Sequence, residues 1–244
     1  MALAGAGSSL WHIRGGNKHL SIALLNHTKT ATVHFSTQIS SISQKDSKKF
    51  VLSTSNYQLP TEYDRVIIAT PLEYSNIKIP SPKPPKLDGK YHRTVATVVA
   101  GHLKDKYHVL GDILTSDTGT FFTCLSRVFP TGLFVAEKFP VYKIFSPDRL
   151  KESQLDELFK KVEFLHVDDW LAYPDYPGDV DKKIPPFKLG DAGIYYVNGV
   201  EWTASAIEMS LVGAKNVALM VAKDLGMPCV PPKPKKSLED REEL

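Results

Sequence analysis

Residues Gly193–Lys223 read GIYYVNGVEWTASAIEMSLVGAKNVALMVAK, a short strand, a turn and a long helix in succession. Ile194, Tyr195, Tyr196 and Val197 are β-branched or aromatic, the types that fit a pleated, half-buried surface. Asn198-Gly199 is a turn dipeptide. Ser205, followed three residues later by Glu208, has the pattern of a capping box and predicts a helix start near Ser205. Ala206, Ser210, Ala214, Ala218 and Ala222 recur every four residues, which lines up small side chains on one stripe. Glu208, Lys215, Asn216 and Lys223 are the polar positions of a mostly apolar helix, expected to be a core element. A stripe without bulk admits either a tightly packed neighbouring backbone or a flat ligand. Asn198, Gly199, Glu201, Thr203, Ala204 and Ser205 place polar groups and free amides at the positive end of the helix dipole, where anions bind.

The rest of the chain narrows the classes open to it. The 244 residues suffice for one large domain or two small ones, and the 42% hydrophobic and 23% charged content is that of an ordinary soluble globular protein. A net charge of +3 argues against a dedicated nucleic-acid binder. No apolar run reaches the roughly 18 residues of a membrane span, so no transmembrane segment is expected. Two cysteines, Cys124 and Cys229, make neither a disulfide framework nor a zinc site. The acid pair Asp168-Asp169 has no further ligands near it in sequence, and no metal is expected. GxSxG, HExxH and P-loop patterns are absent. Met1–Gly7 is too short an apolar stretch for a secretory signal, and no basic residue precedes it. Asn26-His27-Thr28 matches a glycosylation acceptor, a tripeptide that arises often by chance.

Three further stretches carry information. Gly15-Gly16-Asn17 opens a helix expected to run through Leu25, and a double glycine there is either a plain turn or a place where backbone approaches a cofactor. Tyr63–Pro71 reads YDRVIIATP. Its run Val66–Ala69 predicts a strand buried on both faces, stopped by Thr70-Pro71. Ligands of open α/β sheets sit beyond such strand ends. Trp170 stands in the third stretch, WLAYP. By contrast, Gly5–Leu10 fails as a dinucleotide fingerprint, because Leu10 occupies the third glycine position and no strand precedes it.

Residues Thr32–Thr54 read as β structure, with Val33–Phe35 alternating and a turn at Lys45–Lys48 between Ile42 and Phe50–Leu52. Ser75–Asp88, with Pro80, Pro82, Pro84 and Pro85, reads as an irregular linker. Arg93–Leu103, Thr120–Arg127, Leu133–Phe139 and Tyr142–Phe145 are strand candidates in succession, which predicts an antiparallel sheet. Phe121, Phe122, Leu125, Val128 and Phe129 are either its core or an apolar wall, with core the commoner outcome. Ser146-Pro147-Asp148 has the form of a helix start. Leu155, Leu158, Phe159 and Val162 keep a helical period after it. Gly178–Pro186 reads as a polar loop, and 228–244, prolines and then mixed charge, as a flexible tail.

Taken in order, the double glycine, the YDxVIxATP strand and the strand–turn–helix resemble the C-terminal half of FAD-dependent amine oxidases and their relatives. The wording LWHIRGGNK, WLAYP, YYVNG, EW and ASAIEMS resembles most the prenylcysteine oxidase (prenylcysteine lyase) family. The resemblance covers nearly the whole chain up to the tail, but only about the second half of the family. The family's opening strand–GxGxxG–helix and its ribose-binding acid are not in this sequence, so the chain is expected to be an N-terminally truncated form.

What the resemblance implies is an α/β fold with α+β character, the C-terminal part of a two-domain FAD oxidase. Flavin-domain segments at 1–75 and 171–227 would flank an antiparallel substrate-domain sheet at 76–170. The implied reaction is oxidative cleavage of the thioether of a farnesyl- or geranylgeranyl-cysteine by molecular oxygen and water, giving cysteine, a prenyl aldehyde and hydrogen peroxide. Cofactor contacts implied are Gly15, Gly16, Ile39 (beside the adenine), Thr70, Pro71, Trp170, Asn198, Gly199, Glu201, Ala204, Ser205 and Ala206. Amides at the helix start would face the flavin O2, which is anionic in the reduced state. The resemblance also implies a lysosomal location. It names no catalytic acid or base. Two other readings stay open: a different amine-oxidase or desaturase-type flavoenzyme, and a non-catalytic isoprenoid-binding form.

Overall fold

The computed structural model describes residues 13–80, 89–107, 112–129, 138–175 and 184–228. Gly5–Leu10, Pro82–Pro85, most of Leu133–Phe139, most of the 178–186 loop and the tail from Cys229 lie outside the described residues. In chain order the elements begin with α1 (Lys18–His27), β1 (Ser41–Gln44), β2 (Phe50–Ser53), β3 (Gln58–Tyr63), β4 (Val66–Ile68) and α2 (Leu72–Ser75). Then come β5 (Tyr91–Leu103), β6 (Ile113–Leu114), β7 (Cys124–Val128), β8 (Val141–Ser146), α3 (Glu152–Leu158) and β9 (Phe159–Pro174). The last are β10 (Lys188–Leu189), β11 (Ile194–Tyr196), a 3-10 segment (Val197–Trp202) and α4 (Ile207–Asp224). The chain divides into two compact units, residues 1–35 with 91–172, and residues 36–90 with 173–244.

Unit 1 is built on a five-stranded sheet in the order β6-β7-β8-β5-β9, antiparallel along β6, β7, β8 and β5 as expected. Alternation puts Val99, Leu125, Tyr142 and Ile144 on one face, where Leu103, Phe122, Leu158 and Phe159 complete a core. Phe121, Phe122 and Leu125 therefore belong to or pack on the core, while Val128 and Phe129 are exposed. The helix read from Ser146 begins only at Glu152, because the Ser146 hydroxyl donates to the Asp148 carbonyl at 2.7 Å instead of capping a helix. It ends at Leu158, and Phe159–Pro174 is one 16-residue strand. Arg93 on β5 grips Asp169 on β9 through two hydrogen bonds, of 2.9 and 3.0 Å, and Arg149 adds a third at 2.9 Å. These partners hold the Asp169 carboxyl down at about 2. Helix α1 begins after the double glycine but buries none of its residues.

Unit 2 contains an antiparallel meander, β1-β2-β3, and a second sheet, β10-β11-β4. Their shared core holds Ile42, Phe50, Val66, Ile68, Leu189, Ile194 and Tyr196. The turn between β1 and β2 falls where expected, with the Lys48 amide donating to the Lys45 carbonyl at 2.9 Å. Val33–Phe35 is not a strand. Strand β4 is buried on one face only: Val66 and Ile68 point inward and Ile67 stays 49% exposed.

Helix α4 departs most from expectation. It is not a core element, since Gly213 and Val217 are its buried residues. The packed stripe is Met209, Gly213 and Val217 with the half-buried Val221, not the small-residue series, of which Ala206, Ser210, Ala214 and Ala218 are exposed. Gly213 sits where the helix crosses the 3-10 segment, and a Cβ there would lie 3.1 Å from Val200 Cγ1. No capping box forms either. Ala206 is the cap residue, and no side chain bonds to the helix amides.

Candidate functional site

Strand β11 lies beside β4 in parallel, with Ile194 opposite Val66, Tyr195 opposite Ile67 and Tyr196 opposite Ile68. Both strands therefore end on the same side of the sheet, the side on which α/β folds bind ligands. Thr70 and Pro71 follow β4 there and are half-buried. Asn198, Gly199 and Glu201 follow β11 in the 3-10 segment, which replaces the expected simple turn. Asn198 Nδ2 donates to Glu201 Oε1 at 3.0 Å, fixing the two side chains together. Ala204 and Ser205 are half-buried and Ala206 exposed as the chain enters α4. Without a side-chain cap, the first amides of α4 keep their hydrogen-bonding capacity and the helix dipole behind them.

Two groups at these strand ends escaped the motif reading. The carboxylate of Glu73, just after Pro71, has both oxygens buried with no hydrogen-bond partner. Burial raises its pKa, its own backbone amide opposes, and the Glu201 charge adds to the rise. Tyr196 is fully buried, and its hydroxyl also lacks a hydrogen-bond partner. Burial and the Glu73 charge push that phenol up. Orphaned buried polar atoms are uncommon in folded chains. The available signal was a carboxylate two residues past a strand-ending proline, which is no recognised pattern.

The adjacent side chain on β11 is fully engaged. Tyr195 donates to Asp224 Oδ2, Lys188 Nζ reaches the same oxygen at 2.7 Å, and Arg65 Nη2 bonds the Asp224 carbonyl at 3.1 Å. Burial, and then the Asp224 hydrogen bond, push Tyr195 up to about 12. These contacts pin the C-terminal end of α4 to β10, β11 and the residue before β4, and leave its N-terminal end to other uses.

The residues singled out in the sequence are divided between the units. Thr70, Pro71, Asn198, Gly199, Glu201, Ala204, Ser205 and Ala206 share the strand ends of unit 2, and Ile39 precedes β1 in that unit. Gly15, Gly16 and Trp170 belong to unit 1. Gly15 and Gly16 have positive φ of 82° and 105°, and a Cβ on Gly16 would meet nothing within 4 Å, so that backbone is open to approach. Gly199 is bare for a different reason: a Cβ would lie 2.8 Å from the Pro185 carbonyl oxygen. Trp170 is 42% exposed on β9. Among the described residues no group of three or more His, Cys, Asp or Glu is placed to hold a metal, and no helix is long and apolar enough to cross a membrane.

Comparison with known proteins places this geometry. A family model described as prenylcysteine lyase matches residues 1–229. The chain is 32% identical over 249 residues to the Homo sapiens protein named prenylcysteine oxidase 1-like, covering 90% of this chain and 49% of that one. It is 32% identical over 234 residues to farnesylcysteine lyase of Arabidopsis thaliana, covering 91% of this chain and 44% of that one. Among solved structures, a putrescine oxidase redesigned in its cofactor binding superposes with a TM-score of 0.57 at 12% identity, over 85% of this chain and 53% of that one. A putative protoporphyrinogen oxidase from Exiguobacterium gives a TM-score of 0.56 at 12% identity, over 85% and 51%. The fold is thus shared with part of these oxidases, and the chain spans about half the length of the curated relatives it matches.

Proposed function

The chain belongs to the prenylcysteine lyase family, and from that premise we propose that it supplies part of an FAD-dependent oxidase that cleaves the thioether of prenylated cysteine. The observation that carries this reading is the parallel pairing of β4 with β11, which sets Thr70-Pro71 beside Asn198–Glu201 and directs the chain into an uncapped helix start. The donor set fits a flavin nucleotide. Free amides and the positive end of the α4 dipole suit an anionic pyrimidine edge or phosphate, and the unpartnered Glu73 and Tyr196 groups lie close by. Asn198, Glu201, Ala204, Ser205 and Ala206 would hold the cofactor, with Thr70 and Pro71 closing the other strand end. Bound there, FAD would supply the two-electron oxidation of the carbon next to sulfur, with molecular oxygen as acceptor. This chain's own residues orient it and stabilise negative charge.

Ile207, Leu211, Val212 and Leu219 of α4 are each more than 40% exposed, as is Ile67 of β4. We assign to these apolar residues the packing of the part of the family fold that this chain does not span. A lysosomal setting belongs to the same reading, and Asn26 lies at the exposed end of α1 as an acceptor for glycosylation there.

The test is to titrate FAD into the purified chain, and into the chain co-expressed with the unmatched half of the human relative. We expect weak binding to the chain alone, since no glycine-rich pyrophosphate turn is found in it. Retained flavin absorbance, and peroxide release on S-farnesylcysteine, are expected from the reconstituted pair. Tight calorimetric binding to residues 1–244 alone would remove the need for a second half. A soluble pair that stays colourless would sink the flavin assignment.

A further inference from the structure

Strand β9 has 16 residues, about three times the usual strand length, and it stands at the edge of the unit 1 sheet with β5 as its neighbour. It runs antiparallel to β5. The Lys104 amide donates to the Leu158 carbonyl at 2.8 Å, and Arg93 meets Asp169 towards the other end. The second edge of β9 has no strand partner among the described residues. From Lys160 to Leu171 the strand contains no proline, and Val162, Phe164, Leu165, Trp170 and Leu171 are all more than a third exposed. A long, apolar, open edge is a template for pairing with another strand unless its charges blunt it.

The charges of β9 do not blunt it against itself. They run Lys160, Lys161, Glu163, His166, Asp168 and Asp169, basic at one end and acidic at the other. Lys161 pairs with Glu163 at 2.5 Å and His166 with Asp168 at 3.1 Å, so residues two apart share a face. Lys160, Val162, Phe164, His166 and Asp168 therefore line one face. A second β9 laid antiparallel, about a two-fold axis perpendicular to the sheet at Phe164, sets Phe164 opposite Phe164. Val162 then stands opposite His166, and Lys160 opposite Asp168, each pair formed twice. On the other face, Lys161 lies diagonal to Asp169 of the second copy. No like charges stand directly opposite in this register, whereas parallel pairing in register would set Lys160 on Lys160 and Asp168 on Asp168. Within one copy Lys160 reaches Asp105 at 2.6 Å and Asp168 reaches His166; both are exposed pairs, which cost little to exchange.

We propose that β9 is a self-association edge, through which two copies of this chain pair antiparallel about Phe164 and join their five-stranded sheets into one. The occupant is a second copy because the charge order of β9 is complementary to its own reverse, a match that a strand of other origin has no reason to make. The proposal is independent of the flavin reading, and none of its measurements involves FAD.

Sedimentation of the full chain over a range of micromolar concentrations should show a monomer–dimer equilibrium. Lys160→Asp and Asp168→Lys should each raise the dimer dissociation constant about tenfold, because two cross-strand pairs turn repulsive. Both reversals in one chain should restore most of the native affinity, since the pair is then reversed and not broken. A merely local effect on the fold would give no such rescue. In a chain carrying Cys124→Ser and Cys229→Ser, Phe164→Cys should form an intermolecular disulfide on mild oxidation, because directly opposed residues of antiparallel strands have Cα atoms about 4.5–5.5 Å apart. Val162→Cys in the same background should not, since its opposite number is His166. A chain that stays monomeric throughout would overturn the proposal. A dimer indifferent to the reversals, with no disulfide at position 164, would place association elsewhere and overturn the β9 assignment. Loss of the dimer and of the disulfide on adding the unmatched half of the human relative would give the edge to that half and overturn the second-copy occupant. The cross-link needs no charge variant, so it decides even if a reversal fails to fold.

Discussion

Asp169 and Glu73 are both acids at the margin of a sheet, and their surroundings are opposite. Asp169 in unit 1 is held by the forks of Arg93 and Arg149. Glu73 in unit 2 has no partner for either oxygen. The same contrast holds for apolar groups: the unit 1 core face is covered by its own helix, whereas the outward face of α4 in unit 2 has no cover among the described residues. The Asp169 site in unit 1 is balanced by its own arginines. Unit 2 keeps donors, acceptors and apolar area unspent at its strand ends and helix start. Unspent capacity of this kind is what a binding region requires, because a group already satisfied gains nothing from a ligand.

The largest effect that would test this contrast is on core truncation. Ile144→Ala in unit 1 removes a side chain with no exposure and should cost about 2–5 kcal/mol in denaturant unfolding. Leu211→Ala on the outward face of α4 should stay within about 0.5 kcal/mol. It should instead weaken pairing with the complementary half of the family fold. If Leu211→Ala unfolds the chain as Ile144→Ala does, the outward face of α4 is already in use and the contrast fails.

A smaller effect separates the two stripes of α4. Gly213→Leu forces a side chain against Val200 and should cost about 1–3 kcal/mol. Leu at Ala206, Ser210 or Ala214 should leave the melt of this chain unchanged. In the reconstituted pair, Ala206→Leu and Ser210→Leu should lower bound flavin per protein more than Lys215→Leu does. Equal flavin content in all three would turn the small-residue stripe away from the cofactor.

The smallest effect is on pH dependence, and its sign differs between the units. Asp169 has a folded pKa below its ordinary 3.8, so its stabilisation is complete above that value and is lost as pH falls toward about 2. Asp169→Asn should remove that acid-side loss. Glu73 has a folded pKa above its ordinary 4.5, so its contribution is fully present below 4.5 and disappears as pH rises through the folded value. Glu73→Gln should raise the melting temperature at neutral pH and leave it unchanged in acid. Thermal melts across the acid range read both. Slopes of the same sign would show that Glu73 is partnered in solution.

Much of this was legible in the sequence, for reasons that can be named. The runs Val66–Ile68 and Ile194–Tyr196 are β-branched or aromatic and end at a proline or an Asn-Gly, so both strands and their ends were plain. That the two strands pair in parallel is a finding of the structure. Strand β9 was hidden because Leu155, Leu158, Phe159 and Val162 keep a helical spacing, while the strand beyond them carries charges on both sides and shows no period of two. For α4, the series from Ala206 and the series from Met209 both repeat every four residues. Periodicity cannot choose between them, and the close approach of Val200 at Gly213 does. Glu73 was invisible because a carboxylate two residues past a strand-ending proline matches no pattern, and its burial appears only in the fold. Of the apolar candidates Phe121, Phe122, Leu125, Val128 and Phe129, the first three lie in or against the core and the last two are exposed, a division that strand register sets and composition does not.

The parallel contact of β4 with β11 also governs the order of events in folding. Val66 and Ile194 are partners, although the whole five-stranded sheet lies between them in sequence. A ribosome releases β4 long before β11 exists, so the earlier strand must wait without its neighbour. Collapse of the intervening sheet shortens the loop that has to close, and closure becomes cheaper once that insert is compact. The strand ends that carry the proposed cofactor contacts are therefore assembled last, after the intervening sheet of unit 1 has already taken shape.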